Sequence, residues 1–177
     1  MAMAGGLFGA AATSRAHVLT SMIGLLSGAV AICSGAAVMS PIFAFVTGAV
    51  AGVLTTFTVG LFENVLKIDD ALACFPVHGI CGIWGVLATG LFGSKVLGGH
   101  PVYGLELADW LPQLGVQALG ALVIAAFVAA AGLILFSVLK KANLLRVLRD
   151  AELFGLDIAL HKTYAYPEEM QDQQFGR

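Results

Sequence analysis

The chain has 177 residues, 59% of them hydrophobic and only 11% charged, with a formal net charge of −2. A soluble domain carries roughly a quarter charged residues, so this composition excludes an ordinary soluble domain and predicts an integral membrane protein. The nine Lys and Arg cluster near predicted membrane boundaries and give no sign of nucleic acid as a partner.

The first thirteen residues, Met1 to Thr13 (MAMAGGLFGAAAT), are apolar but lack a basic leader, so they do not read as a secretory signal. They are too short to cross roughly 30 Å of hydrocarbon. They read as the tail of a longer transmembrane helix, which predicts that the chain is the C-terminal part of something larger.

Four segments follow that are long enough to span. The first runs from about Leu19 to Met39 and ends at Ser40-Pro41; the second runs from about Ile42 to Leu61. The third runs from about Ala71 to Leu91 and the fourth from about Leu111 to Leu139, long enough to tilt or project. The continuous apolar runs suit helices, and the alternation of barrel strands is absent. Small residues recur at helix-packing spacing: Gly24, Gly28, Ala31 and Gly35 form one stripe, and Gly48, Gly52 and Thr55 another. Such stripes let backbones approach closely in lipid.

After Leu139 the chain becomes a mixed, charged tail with an amphipathic start, Gly155, and a polar end predicted to lack fixed structure. Its Lys140, Lys141, Arg146 and Arg149 place it in the cytoplasm. Threading backwards puts 94–110 outside, with Lys95 as its only Lys or Arg, and puts Lys67 and Arg15 inside. Tyr103 and Trp110 then fall where an outer aromatic belt would lie. The expected division is a transmembrane part, 1–139, and a cytoplasmic tail, 140–177.

The third helix holds the chemistry. His78 lies within a membrane-length apolar run, where an ionisable residue is costly and marks function by default. Projected at roughly 100° per residue, Ala71, Cys74, Cys81, Gly82, Gly85 and Thr89 share its face, and Ile80, Ile83, Trp84, Leu87 and Leu91 lie opposite. An imidazole on this small-residue stripe can bind a small polar solute or relay a proton without a permanent charge. It could also serve as a simple helix–helix hydrogen bond. Pro76 removes a backbone donor and can kink the start of the helix. Asp69 and Asp70 suit the helix start, as N-cap and as complement to the helix dipole. Cys33, Cys74 and Cys81 read as small buried hydrophobes; their spacing suits neither a disulfide framework nor a zinc site. No metal or cofactor is expected.

Enzyme motifs are missing. There is no G-x-S-x-G, no H-E-x-x-H and no phosphate-cradling G-x-x-x-x-G-K-[ST]. Thr89, the nearest hydroxyl on the same projected face, lies about 16 Å along the helix from His78. Transport or a structural role remains, not an enzyme.

The string Ile68-Asp69-Asp70, then Val77-His78-Gly79-Ile80-Cys81-Gly82-Ile83-Trp84-Gly85, then Ala88-Thr89-Gly90-Leu91-Phe92, resembles the ammonium transporter (Amt/Mep/Rh) family. Gly28 to Pro41 (GAVAICSGAAVMSP) is similar to that family's helix two before the histidine helix. Gly155-Leu156-Asp157, with His161 and Ala165-Tyr166, resembles its regulatory tail. These matches extend over most of residues 1–167 in the family's order.

The resemblance implies an all-α, polytopic membrane bundle, here about helices 8–11 of an eleven-helix transporter fold with two inverted halves. It implies ammonium or ammonia as substrate and a homotrimer in the cell membrane with one pore per subunit. His78 would be one of two pore histidines, with Cys74, Val77 and Cys81 as pore-lining neighbours. The tail, through Gly155, Leu156, Asp157, His161 and Tyr166, would contact neighbouring subunits and a PII-type regulator. The seventh helix would be cut short, and the first histidine, the outer recruitment site and the phenylalanine gate would lie outside this sequence. Four positions depart from the pattern. Ile23 replaces Asn, Ala71 replaces Pro, Pro76 replaces a small or apolar residue, and Lys162-Thr163 replaces Gly-Glu. The rival expectation is a small four-helix membrane protein with an assembly or regulatory role and no transport of its own.

Overall fold

A backbone in lipid must satisfy its own polar groups, so the apolar runs become helices. The computed structural model describes residues 1–13, 18–93 and 107–163. Among them the elements are α1 (Ala2–Thr13), α2 (Val18–Ile32), α3 (Pro41–Gly60), the π-helical turns π1 (Leu61–Leu66) and π2 (Phe75–Ile80), and α4 (Cys81–Phe92). They continue with α5 (Leu107–Lys141), α6 (Arg149–Phe154) and the π-helical turn π3 (Asp157–His161). No strand occurs among the described residues; the one extended pairing is an isolated bridge between Met39 and Gly93. The expected all-α membrane fold is what the chain adopts.

By its internal contacts the chain forms two units, Met1–Ala125 and Ala126–Arg177. In the first, α1 packs between α2 and α3, and α4 packs on α2 and α3. The small-residue stripes make this possible. A Cβ on Gly6 would collide with the Gly24 carbonyl oxygen, and one on Gly52 with that of Gly6. On the other side of the core, a Cβ on Gly85 of α4 would meet the Ala31 carbonyl oxygen of α2. Backbones therefore touch at these crossings, the close approach that drives association in a solvent as apolar as the side chains.

Helix ends differ from the apolar runs in instructive places. The start of α3 agrees with its sequence: Ser40 is the N-cap, its hydroxyl accepting from the Phe43 N–H at 3.5 Å, with Pro41 just inside. The first predicted span, in contrast, stops being helical at Ile32, and turns carry the chain through Gly35 to Met39. Ser34 turns its hydroxyl to the Gly85 carbonyl at 2.8 Å and to the Thr89 hydroxyl, so this segment docks on α4 instead of winding onward. Among the described residues, three helical stretches are long and apolar enough to cross a membrane: Pro41–Leu66, Phe75–Phe92 and Leu111–Lys141. Val18–Ile32, at 15 residues, is shorter.

The longest helix, α5, has 35 residues, or ~52 Å by helical rise against a hydrocarbon core of ~30 Å. Lys140 and Lys141 close its last turn, where cations complement the dipole. In the second unit, Asn143 takes a left-handed conformation (φ 56°) and stops the helix. Arg146 then pairs with Glu152 of α6 at 2.6 Å, an exposed pair of little energetic weight. Tyr103, the side chain of Trp110 and residues 164–177, including Tyr166, lie outside the described part, as does Arg15.

Candidate functional site

The segment carrying His78 is built from its N-terminal end. Asp70 accepts two backbone hydrogen bonds, from Cys74 N–H at 2.8 Å and Phe75 N–H at 2.9 Å. Its own carbonyl closes a turn by accepting from Ala73 N–H at 2.9 Å, with Ala73 at φ +52°. The helix therefore begins at Cys74 and not at Ala71, because one carboxylate satisfies the first free N–H groups from below. Asp69 is exposed beside it. Removing the Asp70 carboxylate exposes both donors. Asp70→Ala is expected to lower unfolding stability in mixed micelles by about 1 kcal/mol, whereas Asp69→Ala leaves it unchanged; equal effects in a detergent titration would contradict this account.

Above the cap, the segment is not a uniform α-helix. Cys81 N–H bonds to the Pro76 carbonyl, five residues back, and Phe75–Ile80 is π-helical. A projection at a constant angle per residue fails across such a turn, and the expected face is revised accordingly. Val77 and Cys81 are buried together, and Gly85 and Thr89 continue their side of α4. His78 and Cys74 are exposed instead. The four residues His78, Cys74, Val77 and Cys81 thus divide into an exposed pair and a buried pair. Of the three thiols read as buried hydrophobes, only Cys81 is buried; Cys33 and Cys74 are exposed. His78 has no hydrogen-bond partner among the described residues, so it is not the helix–helix tie that would explain it structurally. Among those residues, no group of three or more His, Cys, Asp or Glu converges as a metal ligand set.

The structural hydrogen bonds lie elsewhere: on Ser27, and on Thr55, Cys81 and Trp84, whose partners the sequence reading did not foresee. The Thr55 hydroxyl bonds to Ser27 Oγ at 2.6 Å and to the Ala51 carbonyl at 2.9 Å, and lies 3.0 Å from Cys81 Sγ. Ser27 in turn donates to the Ile23 carbonyl at 2.7 Å. This knot joins α2, α3 and α4 at the centre of the first unit, with Ser27 and Cys81 fully buried. Trp84, on the face expected to lie away from His78, donates its indole N–H to the Thr47 carbonyl at 2.9 Å. A cavity of about 100 Å³ adjoins the knot, lined by Thr20, Ile23, Gly24, Thr55, Thr56 and Val59. The only signal in sequence was a hydroxyl recurring within apolar runs, which says nothing about its partner. Thr55→Val strands the groups around it and is expected to cost about 1–2 kcal/mol, measured by the same detergent titration. A variant as stable as the parent would show that the knot is not structural.

In the second unit, the tail residues Gly155, Leu156, Asp157 and His161 lie at one bend. Gly155 has φ +93°, a conformation open to glycine, and separates α6 from π3. Asp157 begins π3 and His161 ends it, with Lys162 left-handed at its C-cap.

Comparison with known proteins places the chain in a family. The sequence model of the Ammonium Transporter Family matches residues 1–166. The chain is 40% identical over 171 residues to "Ammonium transporter Amt1" of Methanocaldococcus jannaschii, covering 96% of this chain and 41% of that protein. It is 39% identical over 162 residues to "Ammonium transporter 1 member 2" of Arabidopsis thaliana, covering 88% and 31%. Among solved structures it resembles one described as "Sensor Amt Protein", with a TM-score of 0.78 and 31% identity over 90% of this chain and 39% of that one. The chain spans about two fifths of the length of the archaeal relative.

Proposed function

The chain belongs to the ammonium transporter family, and from that premise we propose that it forms one wall of an ammonium-conducting path through the cell membrane, with His78 on that wall. One observation carries the reading. An imidazole lies in a membrane-length apolar segment, exposed and without a hydrogen-bond partner among the described residues, whereas the buried Ser27, Thr55 and Cys81 are tied into packing. A group that costs free energy in lipid and repays nothing to the fold is placed for a solute.

His78 offers the passing ammonium or ammonia one hydrogen bond, as donor or as acceptor, without fixed charge. Cys74 shares its exposed surface and gives a small, weakly polar neighbour. The buried pair, Val77 and Cys81, backs the wall by holding its helix on α3. The facing wall brings the second histidine of the pair, and the assembly is a homotrimer. The tail lies in the cytoplasm, where Gly155, Leu156, Asp157, His161 and Tyr166 meet a neighbouring subunit or a PII-type regulator. No bond of the solute other than to a proton is made or broken, so the role is transport and not enzymatic catalysis.

A chimera tests this reading directly. Residues 1–166 replace the matching segment of the M. jannaschii relative, and methylammonium uptake is measured in proteoliposomes. Uptake above that of empty vesicles supports the proposal. A folded chimera that fails to transport, beside an active parent relative, refutes it and favours an assembly or regulatory role.

A further inference from the structure

We propose that the π-helical turn Phe75–Ile80 is the device that sets the face of His78, and that Pro76 and Gly79 are the positioning residues that hold this turn. The inference rests on the transport reading for its functional consequence and on backbone geometry for everything else.

The hydrogen bonds locate the change. Val77 N–H still reaches the Ala73 carbonyl at 3.0 Å, four residues back, but Cys81 N–H reaches the Pro76 carbonyl, five back. The chain therefore turns less per residue through this stretch than an α-helix does. Burial records the consequence. Ala73 is 3% exposed, Val77 1% and Cys81 0%, and Gly85 continues the stripe in steps of four residues. Of these steps the one from Val77 to Cys81 crosses the π-helical turn, and an α-helix would carry it about 40° off the packed side. A uniform helix anchored at Cys81 would also bring Cys74 to within roughly 20° of the packed direction and His78 to within roughly 60°. Both are exposed instead. The wider turn keeps the packing stripe intact and rotates Cys74 and His78 together onto the open surface.

Local side chains hold the turn open. Pro76, buried, has no N–H to claim an α-helical acceptor, and its carbonyl receives the five-residue bond. Gly79 lets the Phe75 ring lie against its backbone; a Cβ there would sit 3.1 Å from two ring carbons. The same ring stacks on Phe62 of π1, centroids 5.2 Å apart and planes 25° from parallel. The turn is thus braced from the neighbouring helix end.

The native thiols report the geometry. In the full chain, solubilised and carrying Cys33→Ser, maleimide labelling is followed by peptide mass, with Ile83→Cys as the reference for an exposed thiol in the same micelle. Cys74 is expected to label at the reference rate and Cys81 about tenfold more slowly or less. The double substitution Pro76→Ala, Gly79→Ala favours an α-helical turn and is expected to slow Cys74 labelling towards that of Cys81. In the chimera the same pair is expected to raise the KM for methylammonium, because His78 has moved; mere loss of folded protein would lower only the maximal rate. Protection of Cys74 equal to that of Cys81 in the parent overturns the π-turn geometry. A pair that leaves labelling or KM unchanged overturns the positioning role. Labelling needs no transport, so an inactive chimera would refute the transport reading and leave the parent's labelling result standing.

Discussion

His78→Ala is expected to reduce methylammonium uptake by the chimera to the level of empty vesicles while leaving its folding stability where it was. The two halves of this expectation have separate grounds. Uptake falls because the substitution removes the one exposed imidazole from a membrane-length apolar wall. Loss of a single hydrogen bond of about 1.4 kcal/mol is already tenfold in rate or affinity. Stability holds because His78 bonds to nothing among the described residues, so its removal strands no buried donor or acceptor. Uptake kinetics and a detergent unfolding titration read the two quantities on one preparation. Retained uptake would remove His78 from the conduction path. Lost stability would show instead that the imidazole is a structural tie.

Gly52→Leu carries the largest expected effect on the fold. Even a methyl group at Gly52 would overlap the Gly6 carbonyl oxygen and stand 2.8 Å from Ala10 N, so backbone and not a flexible side chain must give way. Overpacking ordinarily costs about 1–3 kcal/mol. At a backbone contact that also orders α1 between α2 and α3, several such contacts open at once, and the folded first unit is expected to be lost. Gly120→Ala is the control, since nothing lies within 4 Å of a Cβ there; it is expected to be neutral or to stabilise by up to about 1 kcal/mol. Yield of monodisperse protein on gel filtration, with helicity by circular dichroism, separates the two variants. Equal behaviour would mean that the α1 crossing does not hold the bundle together.

The contrast between these two residues shows what each level of description carries. Glycine stripes are legible because lipid gives helices no hydrophobic reason to associate, so close backbone approach has to be written into small residues. The Gly24–Gly28 and Gly48–Gly52 stripes did mark helix crossings. Asp70 was legible too, since a carboxylate at a helix start has few other uses. Hydrogen bonds between distant segments were not: Thr55 to Ser27 spans 28 positions, Trp84 to Thr47 spans 37 and Ser34 to Gly85 spans 51. An apolar run with a hydroxyl in it looks the same whether or not that hydroxyl has a partner.

By itself the sequence determined that the chain is an all-helical membrane protein, that His78 is its costly residue, and which family pattern surrounds it. Composition, run length and local motif are properties of consecutive residues, so no fold is needed to read them. The tertiary structure alone decided that α2 stops at Ile32, that Cys74 and His78 leave the packed face, and that Cys81 joins Thr55 and Ser27 in the core. Each depends on where a hydrogen bond finds its acceptor. A single bond reaching five residues back instead of four, from Cys81 to Pro76, is enough to rotate the histidine out of the stripe in which its sequence spacing had placed it.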